Sequence, residues 1–507
     1  MSLAILYSRA QEGIQAPLVT VEVHLSNGLP GLSIVGLPEM AVRESKDRVR
    51  GALINSQFEF PARRITINLA PADLPKEGGR FDLPIALGIL AASNQLTSEP
   101  LSHYEFSGEL ALSGELRPIG GILPAALTAR DAGRSLILPE ENAEEAALVS
   151  GLQCYPAKHL LEVCSHLNSV NQLAAYKCAT DNPATARPHL DMADDMADVH
   201  GQSQARRALE IAAAGAHSLL YIGPPGTGKS MLASRLPGIL PPMNEEEALE
   251  CAAVHSVANH NAFRAASWRQ RPFRAPHHTA SAAALVGGGS NPKPGEISLA
   301  HRGVLFLDEL PEFDRHTLEV LREPLENGHI TISRANRQVD YPSRFQLVAA
   351  MNPCPCGHLG DGSNRCHCTL DRINRYRMRI SGPLLDRIDM HVEVPRQPLQ
   401  LSHQRPKKQE ESSETIRRRV IDARDVQLER QGCTNQALQG VQIEQVAAPD
   451  RAGNALLHRA IERLGLSMRA YHRILKVART IADLEASPKV DISHISEAIG
   501  YRRLDRS

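Results

Sequence analysis

Apolar and polar positions divide the chain into three structured stretches separated by two polar ones. Short β-like runs alternate with helical runs over residues 1–170, and a second α/β stretch occupies 198–395. A helical stretch follows over 416–507. The segments 171–197 and 396–415 lack apolar periodicity, so we interpret them as a linker and an exposed loop. The pattern therefore predicts an α/β protein with an α+β N-terminal domain, a parallel-sheet core and a C-terminal helical domain.

Within the first stretch, β-branched and apolar runs predict strands at Leu18–Leu25, Leu32–Val35, Arg64–Leu69 and Leu136–Leu138. Helical spacing predicts helices at Pro84–Ser93 and Glu140–Ser150.

A phosphate-binding loop follows the apolar run Leu219–Ile222 and precedes a helical stretch. The complete G-x-x-x-x-G-K-[ST] pattern consists of Gly223, Pro224, Pro225, Gly226, Thr227, Gly228, Lys229 and Ser230. Glycines allow backbone N–H groups to face phosphates, and the dipole at the start of a helix favours anions. We expect Lys229 to reach the β and γ phosphates of ATP and the Ser230 hydroxyl to bind Mg²⁺. A glycine-rich turn that binds nothing is the alternative.

Two further apolar runs end in polar residues. Gly303–Leu307 is followed by Asp308, which is predicted to hold Mg²⁺, and by Glu309, which is predicted to polarise the attacking water. Phe345–Met351 is followed by Asn352, whose amide could orient that water. A polar strand cap is the alternative for Asn352.

Two arginines complete the candidate catalytic set. Arg387 lies in Leu-Leu-Asp-Arg-Ile-Asp, and Arg469 follows Leu-Ser-Met. A guanidinium stabilises charge on a transferring phosphoryl group and often comes from a neighbouring subunit. Spacing alone leaves a surface ion pair as the alternative for both.

A C-x-C-x₉-C-x-C cluster comes directly after Asn352 and consists of Cys354, Cys356, Cys366 and Cys368. Four thiolates predict a tetrahedral Zn²⁺ site, with His358 or His367 able to replace one sulfur. Such a site is structural, because four protein ligands leave no open position. Free thiols and a redox pair are the alternatives.

Several local basic patches are candidate nucleic-acid contacts. One interleaves arginines with Trp268 and Phe273, which could combine phosphate attraction with base stacking. The others are a glycine-rich segment and a predicted hairpin, and the candidate residues in all three are Arg269, Arg271, Lys293, Arg334 and Arg337. Ordinary exposed charges are the alternative, and the pair His277-His278 is interpreted as structural.

Composition limits these options. Among 507 residues, 56 Lys and Arg nearly balance 57 Asp and Glu, for a formal charge of −1. This balance excludes a globally basic nucleic-acid coat and an acidic disordered chain. No apolar run reaches the ~18 residues of a membrane span, no signal peptide is apparent, and nine cysteines are too few for a disulfide framework. We therefore expect a soluble cytoplasmic protein.

Four motifs resemble those of AAA+ ATPases of the magnesium-chelatase branch: Gly-Pro-Pro-Gly-Thr-Gly-Lys-Ser, Leu-Phe-Leu-Asp-Glu, Ala-Ala-Met-Asn-Pro and Leu-Leu-Asp-Arg-Ile-Asp. Nearly the whole chain resembles the ComM (YifB) family, Mg-chelatase-like proteins with a Lon-like N-terminal domain. The resemblance implies a role for each candidate residue. Lys229 and Ser230 belong to the first Walker motif, Asp308 and Glu309 to the second, Asn352 is sensor 1, Arg387 is the arginine finger, and Arg469 is the sensor-2 arginine of a helical lid.

The resemblance further implies a homo-hexameric ring with ATP at its subunit interfaces. For this family it implies branch-migration helicase activity on single-stranded or branched DNA in natural transformation and homologous recombination, with recombination proteins as candidate partners. Three alternatives stay open: a chelatase-like ATPase that remodels a protein partner, as in a motor that inserts Mg²⁺ into a porphyrin through partner subunits; an ATP-dependent protease; and an assembly factor whose ATPase switches a protein partner.

The N-terminal domain bears on the protease alternative. Gly108–Gly121 is similar to a stretch of Lon proteases, and Pro75–Arg80 resembles the loop that carries their nucleophile. Arg80 occupies the position of the catalytic Ser, and Leu123 that of the catalytic Lys. A Ser–Lys mechanism needs both a hydroxyl and an amine. The resemblance therefore implies a non-proteolytic scaffold that binds DNA or supports oligomerisation.

Overall fold

The computed structural model describes residues 3–176, 195–258, 268–289, 292–334, 337–362, 364–397 and 410–502. These form two compact units. The N-terminal unit contains residues 3–176 together with 245–258, 268 and most of 333–341, and the C-terminal unit contains the rest.

The strands, in chain order, are β1 (Leu3–Arg9), β2 (Leu18–Ser26), β3 (Gly31–Val35), β4 (Arg64–Ala70), β5 (Tyr104–Phe106), β6 (Glu109–Leu110), β7 (Leu116–Arg117), β8 (Ser135–Pro139), β9 (Cys154–Ala157), β10 (Leu219–Ile222), β11 (Phe273–Arg274), β12 (Gly287–Gly288), β13 (Lys293–Pro294), β14 (Val304–Leu307), β15 (His329–Arg334), β16 (Arg337–Pro342), β17 (Gln346–Met351) and β18 (Met390–Glu393).

The α-helices are α1 (Met40–Asn55), α2 (Asp82–Ala92), α3 (Ile122–Asp131), α4 (Ala143–Ala146), α5 (Leu160–Leu167), α6 (Ser203–Gly215), α7 (Lys229–Ser234), α8 (Leu236–Ile239), α9 (Glu245–Ala258), α10 (Ala282–Val286), α11 (Glu296–Leu299), α12 (Arg315–Glu319), α13 (Arg322–Asn327), α14 (Leu370–Arg377), α15 (Gly382–Leu385), α16 (Ser413–Gln431), α17 (Val441–Val446), α18 (Arg451–Leu464), α19 (Met468–Leu484) and α20 (Ile492–Gly500).

The N-terminal unit is built on a seven-stranded mixed sheet with the order β3-β4-β2-β1-β5-β8-β9. Helix α2 packs on β1 and β2, and all of its residues are buried because its sequence is almost wholly apolar. The four strands predicted from the sequence correspond to β2, β3, β4 and β8, and the helix predicted at Pro84–Ser93 corresponds to α2. The predicted Glu140–Ser150 helix is shorter, because a 3₁₀ turn occupies Glu140–Asn142 and only α4 is α-helical.

Helix α9 belongs to the N-terminal unit although it comes from the stretch predicted as the ATPase core. Its Leu249, Ala252 and Ala253 join an apolar cluster with residues of α3 and β8. The Ser256 carbonyl accepts a hydrogen bond of 3.2 Å from the Gly121 N–H. Apolar spacing identifies a helix but not the surface that it packs against, so the sequence did not place α9.

The C-terminal unit contains a five-stranded sheet with the order β11-β14-β17-β10-β18. Every neighbouring pair in this sheet is parallel. Strands β10, β14 and β17 are buried along their whole length, as expected for a parallel sheet covered on both faces. Helices α16–α20 make the end of the chain helical. The predicted fold class, α/β with a parallel sheet and a helical C-terminal region, is confirmed.

A buried carboxylate connects this sheet to helix α19. Asp389, just before β18, accepts hydrogen bonds of 2.9 Å from both the backbone N–H and the hydroxyl of Ser218, and it pairs with Arg473 of α19. Burial raises the pKa of the Asp389 carboxyl, but the charge of Arg473 and the hydrogen bonds from Ser218 outweigh it and hold the pKa well below its usual range. The ionised carboxylate therefore fixes α19 against the sheet.

Within the part of the chain that the structure describes, none of the helices combines the length and the apolar character needed to cross a membrane.

Candidate nucleotide-binding site

The phosphate loop connects β10 to α7, and its glycines are required by the backbone. A Cβ at Gly223 would lie 2.2 Å from the carbonyl oxygen of Val394, so only glycine fits there. Gly226 and Gly228 have φ values of 75° and 88°, which L-residues with side chains rarely adopt. Its backbone thus has the turn that a phosphate-binding loop needs.

Lys229 lies folded against this loop. Its side chain is buried, and Nζ donates to the carbonyl oxygens of Gly223 at 2.6 Å and Pro224 at 2.9 Å. Nζ also lies 3.3 Å from Oδ1 of Asn352 at the end of β17. Burial lowers the pKa of the Lys229 ammonium, and the carboxylates of Asp308 and Glu309 oppose this shift. The structure therefore brings Lys229 and Asn352 together.

Asp308 and Glu309 follow β14 at the same edge of the sheet. The Ser230 hydroxyl donates to Oδ2 of Asp308 at 2.7 Å, and the Glu309 N–H donates to Oδ1 of Asp308 at 2.9 Å. A hydroxyl and a carboxylate side by side are the oxygen ligands that Mg²⁺ takes beside a nucleotide phosphate. The residues present therefore fit the predicted metal.

His278 is a neighbour of Glu309 that sequence reasoning missed. Its Nδ1 lies 3.4 Å from Oε2 of Glu309, and its ring packs edge-on against Phe313. His277, in contrast, contacts the hydroxyl of Thr279 through Nδ1 at 2.8 Å. The sequence interpretation of this pair as purely structural did not anticipate the contact with Glu309, because it depends on β11 lying beside β14.

Gln202 is a second residue that the sequence did not indicate, and it stabilises the phosphate loop. Its buried side-chain amide donates to the carbonyls of Thr227 at 3.3 Å and Pro395 at 2.8 Å. The Thr227 hydroxyl in turn donates to the Pro224 carbonyl at 3.0 Å. Gln202 is distant in sequence from all three residues, so no local motif indicates it.

The predicted arginine finger lies elsewhere in the C-terminal unit. Arg387 pairs with Glu326 and donates to the Pro383 carbonyl at 2.7 Å. It lines a cavity of about 580 Å³ that also contains Glu319 and Glu323. No described residue of the phosphate loop lines this cavity. Arg469 is exposed in the first turn of α19. Within the described part of the chain, therefore, neither Arg387 nor Arg469 contacts the phosphate loop of its own chain.

The four cysteines of the C-x-C-x₉-C-x-C pattern come together. The Sγ atoms of Cys354, Cys356, Cys366 and Cys368 all lie within 4.8 Å of one another. Cys354 is 3.3 Å from Cys356 and 3.8 Å from Cys366. A tetrahedral Zn²⁺ with Zn–S bonds of about 2.3 Å separates its sulfurs by about 3.8 Å, so the cluster fits this ion.

Neither histidine near the cluster replaces a sulfur in this arrangement. His358 binds the carboxylate of Asp361 through Nδ1 at 3.0 Å, and His367 is exposed. The candidate ligand set is therefore four thiolates.

The candidate nucleic-acid residues differ in how their side chains are used. The Arg271 guanidinium donates to the carbonyls of Pro241 and Arg302, both at 2.7 Å, which is a structural role. Half-buried Trp268 packs against the apolar cluster around α3 instead of presenting a free ring. The two exposed candidates are Arg269 and Lys293. The backbones of Arg334 and Arg337 lie in β15 and β16, and their side chains fall outside the described part of the structure.

The two positions that bear on protease chemistry are buried in the N-terminal unit. Arg80 donates through one terminal nitrogen to Gln11 at 2.6 Å and to the Gly120 carbonyl at 2.7 Å, and burial lowers the pKa of its guanidinium to about 10. Leu123 is fully buried at the start of α3. These side chains stabilise the unit and offer no nucleophile.

Comparisons with known proteins match most of the chain. A family model described as "Magnesium chelatase, subunit ChlI" matches residues 195–401, one described as "Subunit ChlI of Mg-chelatase" matches 21–142, and one described as "Magnesium chelatase, subunit ChlI C-terminal" matches 410–502.

Individual relatives extend over the full length. The chain is 54% identical to competence protein ComM of Haemophilus influenzae over 508 residues, covering 100% of this chain and 98% of that protein. It is 52% identical to YifB of Escherichia coli over 506 residues, with the same two shares covered. It is 26% identical to the magnesium-chelatase 38 kDa subunit of Cereibacter sphaeroides over 58% of this chain and 86% of that subunit. The chain therefore belongs to the ComM/YifB family of Mg-chelatase-like AAA+ proteins.

Proposed function

We propose that this protein hydrolyses ATP and that hydrolysis drives a DNA motor. The ATPase proposal rests on one observation: Lys229, Ser230, Asp308, Glu309 and Asn352 converge at the carboxyl edge of one parallel sheet. Membership of a Mg-chelatase-like AAA+ family, which implies use of nucleotide and Mg²⁺, supports the same reaction.

In the proposed mechanism the chain binds the phosphates and aligns a water. The phosphate-loop N–H groups and Lys229 neutralise charge on the β and γ phosphates. Ser230 and Asp308 would hold Mg²⁺, which supplies further positive charge at these oxygens when bound. Glu309 orients the attacking water and accepts its proton, and the Asn352 amide fixes the water's direction. Arg387 enters from the adjacent protomer and stabilises the transferring phosphoryl group.

Two substitutions separate nucleotide binding from hydrolysis. Lys229→Ala should lower kcat/KM for ATP by about 10²–10³, because a buried charge at the phosphates is lost. Glu309→Gln should still bind ATP but lower kcat by at least about 10². ATP binding and turnover are measured for both variants beside Lys489→Ala and Glu444→Gln, exposed residues of the C-terminal helical region. Wild-type turnover in either site variant would refute the role assigned to that residue.

For the arrangement of subunits, we propose a homo-hexameric ring in which each ATP lies between two chains. The side chain of Arg387 supports this, since within its own chain it pairs with Glu326 at a different surface from the phosphate loop. Arg469, exposed at the start of α19, is proposed to contact nucleotide from the helical lid. Both assignments give the arginines roles that a single chain does not fulfil.

Mixing two inactive variants tests the shared site. Arg387→Ala and Lys229→Ala proteins, each inactive alone, should together regain part of the ATPase rate, because some interfaces then combine an intact loop with an intact finger. Co-purification of differently tagged chains verifies that mixed assemblies form. If mixed assemblies form and no ratio restores activity, Arg387 does not act in trans.

For the substrate, we propose single-stranded or branched DNA, with branch migration in natural transformation and homologous recombination as the process in the cytoplasm. The relative named competence protein ComM supports this. Exposed Arg269 and Lys293 are proposed to contact phosphates, with Arg334 and Arg337 as further candidates. The N-terminal unit is proposed to be a non-proteolytic scaffold, consistent with buried Arg80 and Leu123.

A chelatase-like ATPase that remodels a protein partner is the second candidate, favoured by the similarity to the 38 kDa magnesium-chelatase subunit.

The ATPase rate with single-stranded, duplex and four-way-junction DNA at two salt concentrations separates these functions. A DNA motor should be stimulated most by branched or single-stranded DNA, and the stimulation should fall at high salt because phosphate contacts release counterions. Lys293→Ala should weaken stimulation, whereas Lys489→Ala should not. A rate that no DNA changes would reject the DNA motor and favour the protein-remodelling candidate.

For the cysteine cluster, we propose a structural Zn²⁺ bound by four thiolates. Elemental analysis should find about one zinc per chain in the wild type. Cys366→Ser should lose most of it, whereas Cys433→Ser, outside the cluster, should retain it. A wild-type content below about one zinc per four chains would reject the site, since a closed four-thiolate site binds zinc tightly.

A further inference from the structure

The segment that carries the cysteines, residues 354–368, here called the cysteine loop, is joined at both ends to the nucleotide site. At its start, Cys354 is buried two residues after Asn352, which contacts Lys229. At its end, Thr369 precedes α14, and the backbone of Asn352 is near enough to the Tyr376 hydroxyl on that helix to oppose the rise in its pKa that burial causes. The cysteine loop therefore begins next to Asn352 and is followed by a helix whose Tyr376 lies near Asn352.

The middle of the cysteine loop touches the phosphate loop directly. Gly357 has a φ of 80°, and a Cβ added there would lie 2.8 Å from Cδ and 2.9 Å from Cγ of Pro225. The same Cβ would lie 3.9 Å from Cγ of Asn352. Pro225 is the third residue of the phosphate loop. The backbone of the cysteine loop at Gly357 therefore packs directly against the phosphate loop.

The four sulfurs close this segment. Cys354 and Cys356 lie at its start, Cys366 and Cys368 at its end, and all four thiol groups meet within 4.8 Å. Within the loop, the Gly357 N–H bonds the Cys354 carbonyl at 3.0 Å, which ties the glycine to a ligand residue. A metal bound by all four thiolates would thus fix Gly357 through its neighbours, because metal coordination restricts the chain that supplies the ligands.

We propose that Zn²⁺ in the cysteine loop holds Gly357 against Pro225. This contact keeps the phosphate loop in the conformation that binds nucleotide. Metal loading then determines ATP affinity. The inference rests on the proposed ATP and zinc sites and adds a coupling between them. Because coupling between two ligands is reciprocal, ATP should tighten zinc binding by the same factor by which zinc tightens ATP binding.

Two glycines of the same loop provide a matched pair of variants. Gly357 and Gly360 have φ values of 80° and 76°, so alanine brings similar backbone strain to both. Only at Gly357 does the new Cβ meet Pro225, since the Cβ at Gly360 has no atom within 4 Å. Comparing Gly357→Ala with Gly360→Ala therefore isolates the contact between the two loops.

The experiment measures zinc content and the Kd of a fluorescent ATP analogue with Mg²⁺ on the same full-length samples. Gly357→Ala should keep about one zinc per chain but bind the nucleotide about tenfold more weakly, a typical effect of an unaccommodated methyl group. Gly360→Ala should retain both properties. Cys366→Ser should lose zinc and bind nucleotide more weakly by a similar factor, with Cys433→Ser as its control.

A zinc-release measurement tests the reverse direction. Wild-type protein is titrated with a chromophoric chelator in the presence and absence of saturating nucleotide. Nucleotide should raise the chelator concentration needed to remove zinc, and Lys229→Ala should abolish this protection. The protection is read from the metal, so a general loss of catalytic activity cannot imitate it.

The outcomes distinguish failure of the coupling from failure of the underlying sites. If Gly357→Ala or zinc-free Cys366→Ser binds nucleotide as tightly as the wild type, the coupling is refuted while the ATP site stands. Wild-type protein that binds nucleotide but contains no zinc would overturn the zinc site and the coupling together. Wild-type protein that holds zinc but binds no nucleotide would overturn the proposed ATPase itself.

Discussion

The nucleotide site depends on the parallel register of three neighbouring strands. Ile222 of β10 is opposite Met351 of β17, so Gly223 and Asn352 begin side by side where the two strands end. Leu307 of β14 is opposite Ala349 of β17, which places Asp308 at the same edge. Parallel strands all present their carboxyl ends to one edge of a sheet, and ligands bind there in α/β folds. Three segments distant in sequence therefore deliver their polar residues to one place.

This register also explains how the charged side chains of Lys229, Asp308 and Glu309 can lie close together at one edge of the sheet. Lys229 is buried, which disfavours its charged form, but Asp308 and Glu309 counter that cost from the end of β14, on the far side of β17. Its Nζ is further satisfied by two carbonyls of its own loop and by the Asn352 amide. A phosphate group offers the same type of acceptor as these oxygens. The ammonium can therefore exchange its partners for a nucleotide without leaving its position.

The candidate site residues that the sequence could indicate are those whose motif is local. The phosphate loop, the acidic pair after β14 and the four cysteines each lie within one short segment, so spacing alone reveals them. His278, Gln202 and Gly357 escaped prediction because each acts on a residue of another segment. Their roles depend on strand order and loop packing, which no single motif encodes. The position of helix α9 could not be predicted for the same reason. Its apolar face indicates that the helix is buried but not which surface it packs against.

The Asp389–Arg473 pair links the two arginines that lie away from the phosphate loop. Arg473 donates to the backbone carbonyl of Arg387 at 2.9 Å as well as to Asp389. Arg469 precedes Arg473 by four residues on α19, so both project from the same face of that helix. Because Asp389 is buried and ionised, the contact that fixes Arg473 is expensive to break. Arg473 therefore fixes both the backbone of Arg387 and the start of α19, the helix that carries Arg469, to the same buried carboxylate.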